Sequence, residues 1–409
     1  MSKQKQVVKL KKTLSFPVLL FYSTGTILGL GIYVILGKII GHAGMFTPLA
    51  FIVSAILVIF TAFSYSELSA RIPKSGGAVN YVDSAFKKPA LSKIIGWLLI
   101  ASAIISTATV LNGYVGYVHE FANIAPWIII SVVIFVLSAV AIWGISQSAA
   151  TITIITIIEL LGIFLIIFIA GDNLSQLPAR ISEFVPSFEI NVWRGILMGA
   201  FLGFFTFIGF EDVVNVAEET KNPQKNMPRA IIGSLIILTI LYIIVATIAV
   251  LGLSVQELKT SDAPLADILA QKGAGYPLII SIIGLIAIIN GVMVQIVMNA
   301  RVLYGMAQRK LAPQIFGKLN RKTRTPIWAT IFSSGIILAL ALMFDLESLA
   351  SATNYILLTV FIFINLALIV LKKRDPKPKG VKSYGFAVPV LGLFFTVAIL
   401  VFQLYTLFR

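Results

Sequence analysis

Long apolar runs dominate this chain of 409 residues and limit its fold more than any other feature. A helix needs about 20 mainly apolar residues to cross the hydrocarbon core of a membrane. Eleven runs of that kind fall at about 14–40, 47–69, 94–118, 126–146, 151–171, 195–217, 230–253, 276–305, 327–345, 348–371 and 386–408. Because 58% of the residues are hydrophobic and only 12% are charged, the chain cannot cover a soluble surface. The sequence predicts an all-α polytopic membrane protein with eleven transmembrane helices.

Lysine and arginine are unevenly divided between the two sides that these helices create. With a cytoplasmic N-terminus, 26 of the 32 lie in the inner segments 1–13, 70–93, 144–150, 218–229, 301–326 and 372–382. Cytoplasmic loops carry such an excess. We therefore expect a multi-pass protein of the cell membrane with a cytoplasmic N-terminal tail at 1–13. The net charge of +15 then reflects topology and contact with membrane lipid, so we expect no nucleic-acid partner.

Glycines interrupt the first apolar run. The segment STGTILGLGIY, Ser23–Tyr33, contains Gly25, Gly29 and Gly31, and glycine is a poor helix former. Irregular backbone at membrane depth is tolerated only where protein buries it or where it lines a cavity. A binding site is one explanation of this segment. A glycine face that packs closely against a neighbouring helix is the other.

A second interruption is predicted in the sixth run, where Gly203 and Gly209 flank the segment 204–208. The first and sixth runs are five apart, so they cross in opposite directions. This arrangement is expected of a 5+5 inverted repeat with broken helices at matching positions. Repeat one would cover about 14–171, repeat two about 195–371 and an extra helix about 386–408, all within a single transmembrane domain, 14–409. Free N–H groups at half-helix ends suit a carboxylate and free C=O groups suit an ammonium, so a zwitterion is the favoured ligand.

Three acidic residues fall inside apolar runs, where a carboxylate is costly unless it faces the helix bundle or water. Glu159 lies in the middle of the fifth run, and Glu211 and Asp212 follow the second interruption. We interpret Glu211 as functional because it adjoins irregular backbone. Glu159 is either a coupling residue or a protonated carboxyl that bonds a neighbouring helix. Asp212, near the inner end of its run, is interpreted as structural.

Patterns typical of enzymes and metal sites are missing from the sequence. The chain has no cysteine and two histidines, which excludes disulfides, thiolate metal sites and cysteine nucleophiles. It also has no phosphate-binding glycine loop and no recognisable catalytic triad. We therefore expect no enzyme activity, no metal and no organic cofactor.

Four segments resemble the amino acid permeases of the amino acid-polyamine-organocation superfamily. They are STGTILGLGIY, Ser64–Val82 at the end of the second run, FIGFEDVVNVAEETKNPQKNMPRAI at Phe207–Ile231, and Asn299–Ala329 between the eighth and ninth runs. The resemblance covers most of the chain in the right order. It implies the inverted-repeat transporter fold and amino acid transport. The family usually has a twelfth helix, for which this chain has no counterpart, and the oligomeric state stays open.

The resemblance also implies which residues bind substrate. The substrate carboxylate would be held by N–H groups of Leu28 to Gly31, and its amino group by carbonyls of Ile27, Phe205 and Ile208. Phe205 and Phe207 would act as gates, and Glu211 would take part in coupling. The full predicted binding set is Thr26, Ile27, Leu28, Gly29, Leu30, Gly31, Phe205, Thr206, Phe207 and Ile208. Some proton-coupled relatives have a lysine on the fifth helix; Glu159 is the nearest ionisable residue here.

The apolar character of these segments favours a neutral amino acid as substrate. Polar side chains near the interruptions are expected to shape its pocket: Ser102, Ser106, Thr107, Asn290, Gln295, Thr353, Asn354 and Tyr355. We expect secondary active, proton-coupled uptake by alternating access, with Glu211 and Glu159 as titrating groups; sodium coupling stays open. The alternatives are an amino acid exchanger, a polyamine or amine permease, and a sensor that binds an amino acid without moving it.

Overall fold

The computed structural model describes residues 12–29, 31–74, 76–144 and 149–407, and this part of the chain is helical without a β-strand. The α-helices are α1 (Phe16–Leu28), α2 (Ile32–Ala43), α3 (Thr47–Arg71), α4 (Gly77–Phe86), α5 (Pro89–His119), α6 (Pro126–Trp143), α7 (Ala149–Ala170), α8 (Leu177–Arg180), α9 (Ile190–Phe204), α10 (Pro223–Gly252), α11 (Val255–Thr260), α12 (Pro264–Ala270), α13 (Tyr276–Gln308), α14 (Ile327–Met343), α15 (Leu346–Arg374) and α16 (Ala387–Leu407).

Short 3₁₀ helices occupy several of the connections between these elements. They are Gly44–Phe46, Gly171–Gln176, Ile181–Phe184, Phe205–Phe207, Val213–Glu219 and Gln314–Gly317. One of them, Phe205–Phe207, lies inside the sixth predicted apolar run, and Val213–Glu219 begins inside that run and extends two residues past its end. They continue α9 towards the predicted cytoplasmic side in a different backbone geometry.

Every predicted apolar run coincides with helix. Within the described residues, nine helical segments are long and apolar enough to cross a membrane, and Phe16–Leu28 and Ile327–Met343 are shorter apolar helices. Helical structure is expected in a membrane, because a chain in hydrocarbon must satisfy its backbone hydrogen bonds within itself. The prediction of an all-α polytopic membrane protein is confirmed. The division into two repeats stays a prediction.

The first and sixth spans lie in the interior of the bundle. Helix α2 packs against α9, while α1 packs against α7 and α10. Around them, α3 runs along α10, and α5 packs against α13 and α15. Apolar side chains face outward on the periphery, as at Phe135 of α6 and Phe168 of α7. The interrupted helices are therefore enclosed by protein, which satisfies the condition for irregular backbone at membrane depth.

A buried ion cluster joins the C-terminal ends of α3 and α15. The Glu67 carboxylate is fully buried and accepts hydrogen bonds from Arg71 (Nη2 to Oε1, 2.6 Å), and Lys372 Nζ lies 2.8 Å from Glu67 Oε2. It also accepts from the Ser383 hydroxyl and the Tyr384 amide, both at 2.9 Å. A buried carboxylate needs this degree of pairing to stay charged. The cluster ties the C-terminal ends of α3 and α15 to Ser383 and Tyr384.

Candidate functional site

The first span is interrupted between α1 and α2. The last turn of α1 closes with the Gly29 amide bonded to the Gly25 carbonyl at 3.1 Å. Gly31 has φ −116° and ψ −84°, which is not helical, and its carbonyl accepts the first bonds of α2, from Val34 at 3.0 Å and Ile35 at 3.2 Å. The first amides of a helix have no acceptor inside it. Those of α2 therefore point back towards the interruption with the positive end of the helix dipole.

The sixth span is interrupted after α9, and its geometry differs from that of the first. One 3₁₀ turn, Phe205–Phe207, follows α9, and the backbone then extends at Ile208 (φ −59°, ψ 141°). Gly209 has φ +116°, a conformation that side-chain-bearing residues rarely adopt. The Gly209 amide donates to Glu211 Oε2 at 3.0 Å. A carboxylate thus occupies one of the amides that the interruption leaves free.

The two interruptions touch through backbone. A Cβ added to Gly31 would lie 2.5 Å from Thr206 Cα and 2.8 Å from the Thr206 carbonyl oxygen. A Cβ added to Gly209 would lie 2.6 Å from the Thr26 carbonyl oxygen. Each glycine therefore admits the main chain of the other span, and no larger residue fits at either position without a shift of backbone. The structure brings Thr26, Gly31, Thr206 and Gly209 together.

The side chains at this contact are held within their own spans or by α10. The Thr26 hydroxyl donates to the Tyr22 carbonyl at 2.7 Å, and the Thr206 hydroxyl donates to the Gly203 carbonyl at 2.7 Å. Tyr242 of α10 donates its hydroxyl to the Thr206 carbonyl at 3.2 Å. The polar groups of the contact that remain for a ligand are consequently those of the main chain.

Most of the predicted binding residues are buried in this conformation. No solvent-accessible surface is left on Ile27, Leu28, Phe205, Thr206 and Phe207, and Ile208 is 3% exposed. Gly29 and Gly31 are also buried, Thr26 is partly buried, and Leu30 lies outside the described residues. Both predicted gate residues, Phe205 and Phe207, are thus packed away, so the contact between the spans is closed.

A cavity of about 410 Å³ extends from the second interruption to residues of the segments predicted to be cytoplasmic, such as Arg309 and Leu311. Ile208 and Glu211 line it, as do three residues from the predicted polar set, Ser102, Ser106 and Gln295. Further polar residues on its wall are Tyr65, Asp212, Asn215, Glu219, Asn299, Arg301 and Arg309. Among the described residues of the predicted binding set, Ile208 is the member on this wall. The cavity therefore reaches the second interruption from the side predicted to be cytoplasmic.

Asp212 is the residue whose position differs most from the sequence interpretation. Its carboxylate forms part of the cavity wall and accepts a long hydrogen bond from Gln295 Nε2 at 3.4 Å. Arg301 lies on the same wall. The turn at 209–212, closed by the Asp212 amide on the Gly209 carbonyl at 3.0 Å, places two consecutive acidic side chains at one cavity. A regular helix would separate neighbouring side chains around its axis, so helical periodicity gave no signal for this arrangement.

Glu159 lies at the first interruption, on α7, and is fully buried. A Cβ on Gly29 would lie 3.2 Å from Glu159 Oε1, and within the described chain neither carboxyl oxygen makes a hydrogen bond of ordinary geometry. The Tyr33 hydroxyl donates to the Glu159 main-chain carbonyl at 2.7 Å, which ties α2 to α7. The structure thus places the two predicted coupling carboxyls apart: Glu159 against the first interruption and Glu211 against the second.

The sequence is similar to known membrane transporters over nearly its whole length. The family model for amino acid permeases matches residues 18–409. A branched-chain amino acid permease of Bacillus subtilis is 29% identical over 411 residues, which cover 93% of this chain and 85% of that protein. A methylthioribose transporter of the same organism is 29% identical, with 95% and 86% covered. A mitochondrial cationic amino acid transporter of Arabidopsis thaliana is 27% identical; the match covers 90% of this chain and 63% of that longer protein.

Proposed function

The chain belongs to the amino acid permease family, and on that premise we propose that it takes up a neutral amino acid together with a proton, by alternating access. Amino acid transport, a multi-pass membrane location and the absence of an enzyme role follow from the family. The choice of substrate and of coupling ion are the proposal. A location in the cell membrane with a cytoplasmic N-terminus is part of it, supported by the distribution of lysine and arginine.

The contact between the two interruptions is the observation that carries the proposal. Gly31 and Gly209 each admit the main chain of the other span, so helix ends from two antiparallel segments meet at one point. We place the substrate carboxylate at the start of α2, where the helix dipole is positive, and at the amides from Leu28 to Gly31. The Gly29 and Gly31 amides donate here to the Gly25 and Leu28 carbonyls, at 3.1 Å and 3.3 Å, and would exchange these bonds for the carboxylate. The amino group then lies against carbonyls of Ile27, Phe205 and Ile208. The Phe205 carbonyl already accepts one bond, from Ile208 at 3.2 Å, and has a second lone pair.

The observed state fits one step of an alternating-access cycle. The cavity is open on the predicted inner side. On the opposite side, His42 at the end of α2 bonds Glu347 at the start of α15, with Nε2 and Oε1 2.7 Å apart. This pairing closes the outer ends of the two helices. We interpret the conformation as inward-facing, with the site between the spans collapsed around Phe205 and Phe207.

Coupling is assigned to Glu211 first. Its carboxylate accepts the Gly209 amide, which belongs to the interruption itself, and its side chain reaches the water-accessible cavity. Protonation converts a hydrogen-bond acceptor into a group that also donates, and this weakens its hold on the Gly209 amide. Glu159 is the second titrating candidate because it is buried against Gly29 without a partner of ordinary geometry among the described residues.

A neutral substrate is supported by the apolar part of the cavity wall. Leu99, Ile100, Ile208 and Leu357 line it near the interruption. A relative named as a branched-chain amino acid permease is consistent with this choice.

A cationic amino acid is the second candidate, and Asp212 is the observation that favours it. Its carboxylate lines the cavity with one long hydrogen bond and, within the described residues, without an ion pair of 4.0 Å or less. A substrate ammonium or guanidinium would supply the missing partner. Relatives named as cationic amino acid transporters are consistent with this alternative.

Uptake into proteoliposomes tests the proposal. With no substrate inside, an imposed inward proton gradient should drive accumulation of a labelled neutral amino acid, and a full panel of unlabelled amino acids should compete according to their apolar side chains. If only lysine and arginine compete, the substrate is a cationic amino acid and not a neutral one. Rapid exchange with preloaded substrate but no net accumulation would identify an exchanger instead of a symporter.

A further inference from the structure

An apolar groove lies between the middle parts of α3 and α10, on the outer surface of the bundle. Its volume is about 260 Å³. It is lined by Ile52, Ala55, Ile56, Val58 and Ile59 from α3, by Leu235, Ile236, Thr239 and Ile240 from α10, and by Phe207 from the second interruption. We refer to it as the α3–α10 groove. The groove is separate from the polar cavity, whose lining residues it does not share.

The depth of the groove in the membrane determines what can fill it. Its rim residues Ile52, Ile56, Ile236 and Ile240 are 41%, 41%, 51% and 53% exposed; the first two lie in the first half of the membrane-spanning helix α3 and the last two in the middle of α10. At that depth the surroundings are hydrocarbon, and water and polar solutes are excluded. The groove therefore opens towards the acyl chains of the bilayer.

The chemistry of the lining agrees with a hydrocarbon occupant. Thr239 is the polar side chain of the lining, and its hydroxyl already donates to the Leu235 carbonyl at 2.7 Å. None of the described residues that line the groove is charged. A ligand with hydrogen-bonding groups would lose its water without gaining partners there, which is costly. A saturated chain loses nothing and gains dispersion contacts along the walls.

Phe207 connects the groove to the functional site. Its ring packs against Tyr242, with centroids 5.5 Å apart. The Tyr242 hydroxyl bonds the Thr206 carbonyl, whose oxygen would lie 2.8 Å from a Cβ on Gly31. One aromatic contact and one hydrogen bond thus separate the groove from the point where the two interrupted spans meet. A group that packs against Phe207 from the membrane side therefore also constrains the contact between the two interrupted spans.

We propose that the α3–α10 groove binds an acyl chain of a membrane phospholipid, and that this chain holds Phe207 against Tyr242 in the inward-facing state. The binding part of the inference needs nothing from the proposed function. The functional part rests on it, because holding Phe207 stabilises the closed contact between the interruptions. An occupied groove therefore slows the return to the outward-facing state.

Photo-crosslinking of the full-length protein in proteoliposomes tests the binding part. The probe is a phosphatidylcholine with a diazirine at the end of one acyl chain, and the labelled positions are read by mass spectrometry. We expect labels concentrated on residues 52–59 and 235–240, with few on Phe207, whose side chain has no accessible surface in this conformation. In Ala55→Phe, where a ring fills the groove from α3, labelling of these segments should fall severalfold. Thr239→Phe fills it from α10 and should give the same result if Ala55→Phe folds poorly.

A matched control is Val132→Phe, which adds a similar ring to the exposed face of α6, where Val132 is 55% exposed. It should leave groove labelling unchanged. Even labelling of all lipid-facing helices, or undiminished labelling in both groove-filling variants, would overturn the inference. Labelling by a probe with its diazirine at the headgroup, to the same extent as the chain-end probe, would also contradict it.

The functional part has its own readout. If the groove-filling ring substitutes for the lipid chain, Ala55→Phe should hold Phe207 permanently and lower the turnover rate of exchange severalfold, with little change in KM. Unchanged turnover in a variant that has lost groove labelling would overturn the coupling to Phe207 and leave lipid binding standing. If the wild-type protein transports no amino acid in this assay, the proposed function is refuted, and the crosslinking result still stands.

Discussion

The two interrupted spans meet at one point but are built differently. The first consists of two regular half-helices, α1 and α2, separated by a few residues, and its described residues there are buried or nearly so. The second follows α9 with a 3₁₀ turn, an extended residue, a glycine at φ +116° and a further 3₁₀ segment. Ile208, Glu211 and Asp212 of the second interruption line the polar cavity. One interruption is sealed by protein, and the other borders water.

This difference suggests that the two interruptions have different functions. Helix α2 supplies a fixed dipole end and depends on glycine at Gly31 for close approach. The sixth span depends on glycine at Gly209 for a backbone conformation as well, and it holds ionisable side chains where protons can reach them. We therefore expect substitutions in the first interruption to affect binding, and substitutions in the second to affect coupling and selectivity.

The largest effect is expected from Gly31→Leu. Its Cβ would lie 2.5 Å from Thr206 Cα, so the two spans could not approach and the site between them could not form. Uptake should fall to background in proteoliposomes, while fluorescence-detected size exclusion shows normal expression and a monodisperse peak.

The control for this variant is Gly335→Leu on α14, where an added Cβ meets nothing within 4 Å. It should transport normally. Normal transport by Gly31→Leu would show that the glycines of the first span serve helix packing and do not form a binding site.

Gly209→Ala should be the next most severe. A non-glycine residue at a strongly positive φ costs about 1–3 kcal/mol, and the new methyl group would also press on the Thr26 carbonyl. We expect uptake of about a tenth of the wild-type rate or less, with a lower thermal unfolding temperature. A variant as stable and as active as wild type would show that this conformation is not needed.

Glu211→Gln separates coupling from binding. Glutamine keeps an oxygen that accepts the Gly209 amide but cannot take up a proton at neutral pH. Proton-driven accumulation should disappear while exchange of substrate across the membrane continues. Glu159→Gln, measured in parallel, shows whether the sealed interruption shares this role. If Glu211→Gln accumulates substrate as well as wild type, Glu211 does not take part in proton coupling.

The smallest effect is expected from Asp212→Asn, which removes a charge from a partly hydrated wall. An interaction of about 1 kcal/mol corresponds to about a fivefold change in an equilibrium. If cationic substrates use Asp212, competition by lysine should weaken by that factor while competition by leucine stays constant. An equal change for both amino acids would assign Asp212 to structure, as the sequence had suggested.

The sequence was sufficient for the parts of the fold that the membrane dictates. Hydrocarbon requires long apolar helices, and in the part of the chain that the structure describes each of the eleven predicted runs contains helix. Gly29, Gly31 and Gly209 marked the interruptions, because glycine in a membrane helix needs a steric or conformational reason.

The sequence could not predict where side chains point in irregular backbone. The direction of Asp212 depends on the φ and ψ angles at Ile208 and Gly209, which no periodicity describes. The burial of Phe205 and Phe207 depends on which state of the transport cycle the chain adopts. The α3–α10 groove arises from the spacing of two helices far apart in sequence, so no pattern within either helix predicts it.

A structure with bound amino acid, determined by cryo-electron microscopy, would show whether the two interruptions form the binding site. We expect a ligand between them, with its carboxylate at the amides of Gly31 and the first turn of α2 and its amino group at carbonyls of the sixth span. A ligand found only deeper in the inner cavity, held by Arg301 or Arg309 without contact to either interruption, would contradict it.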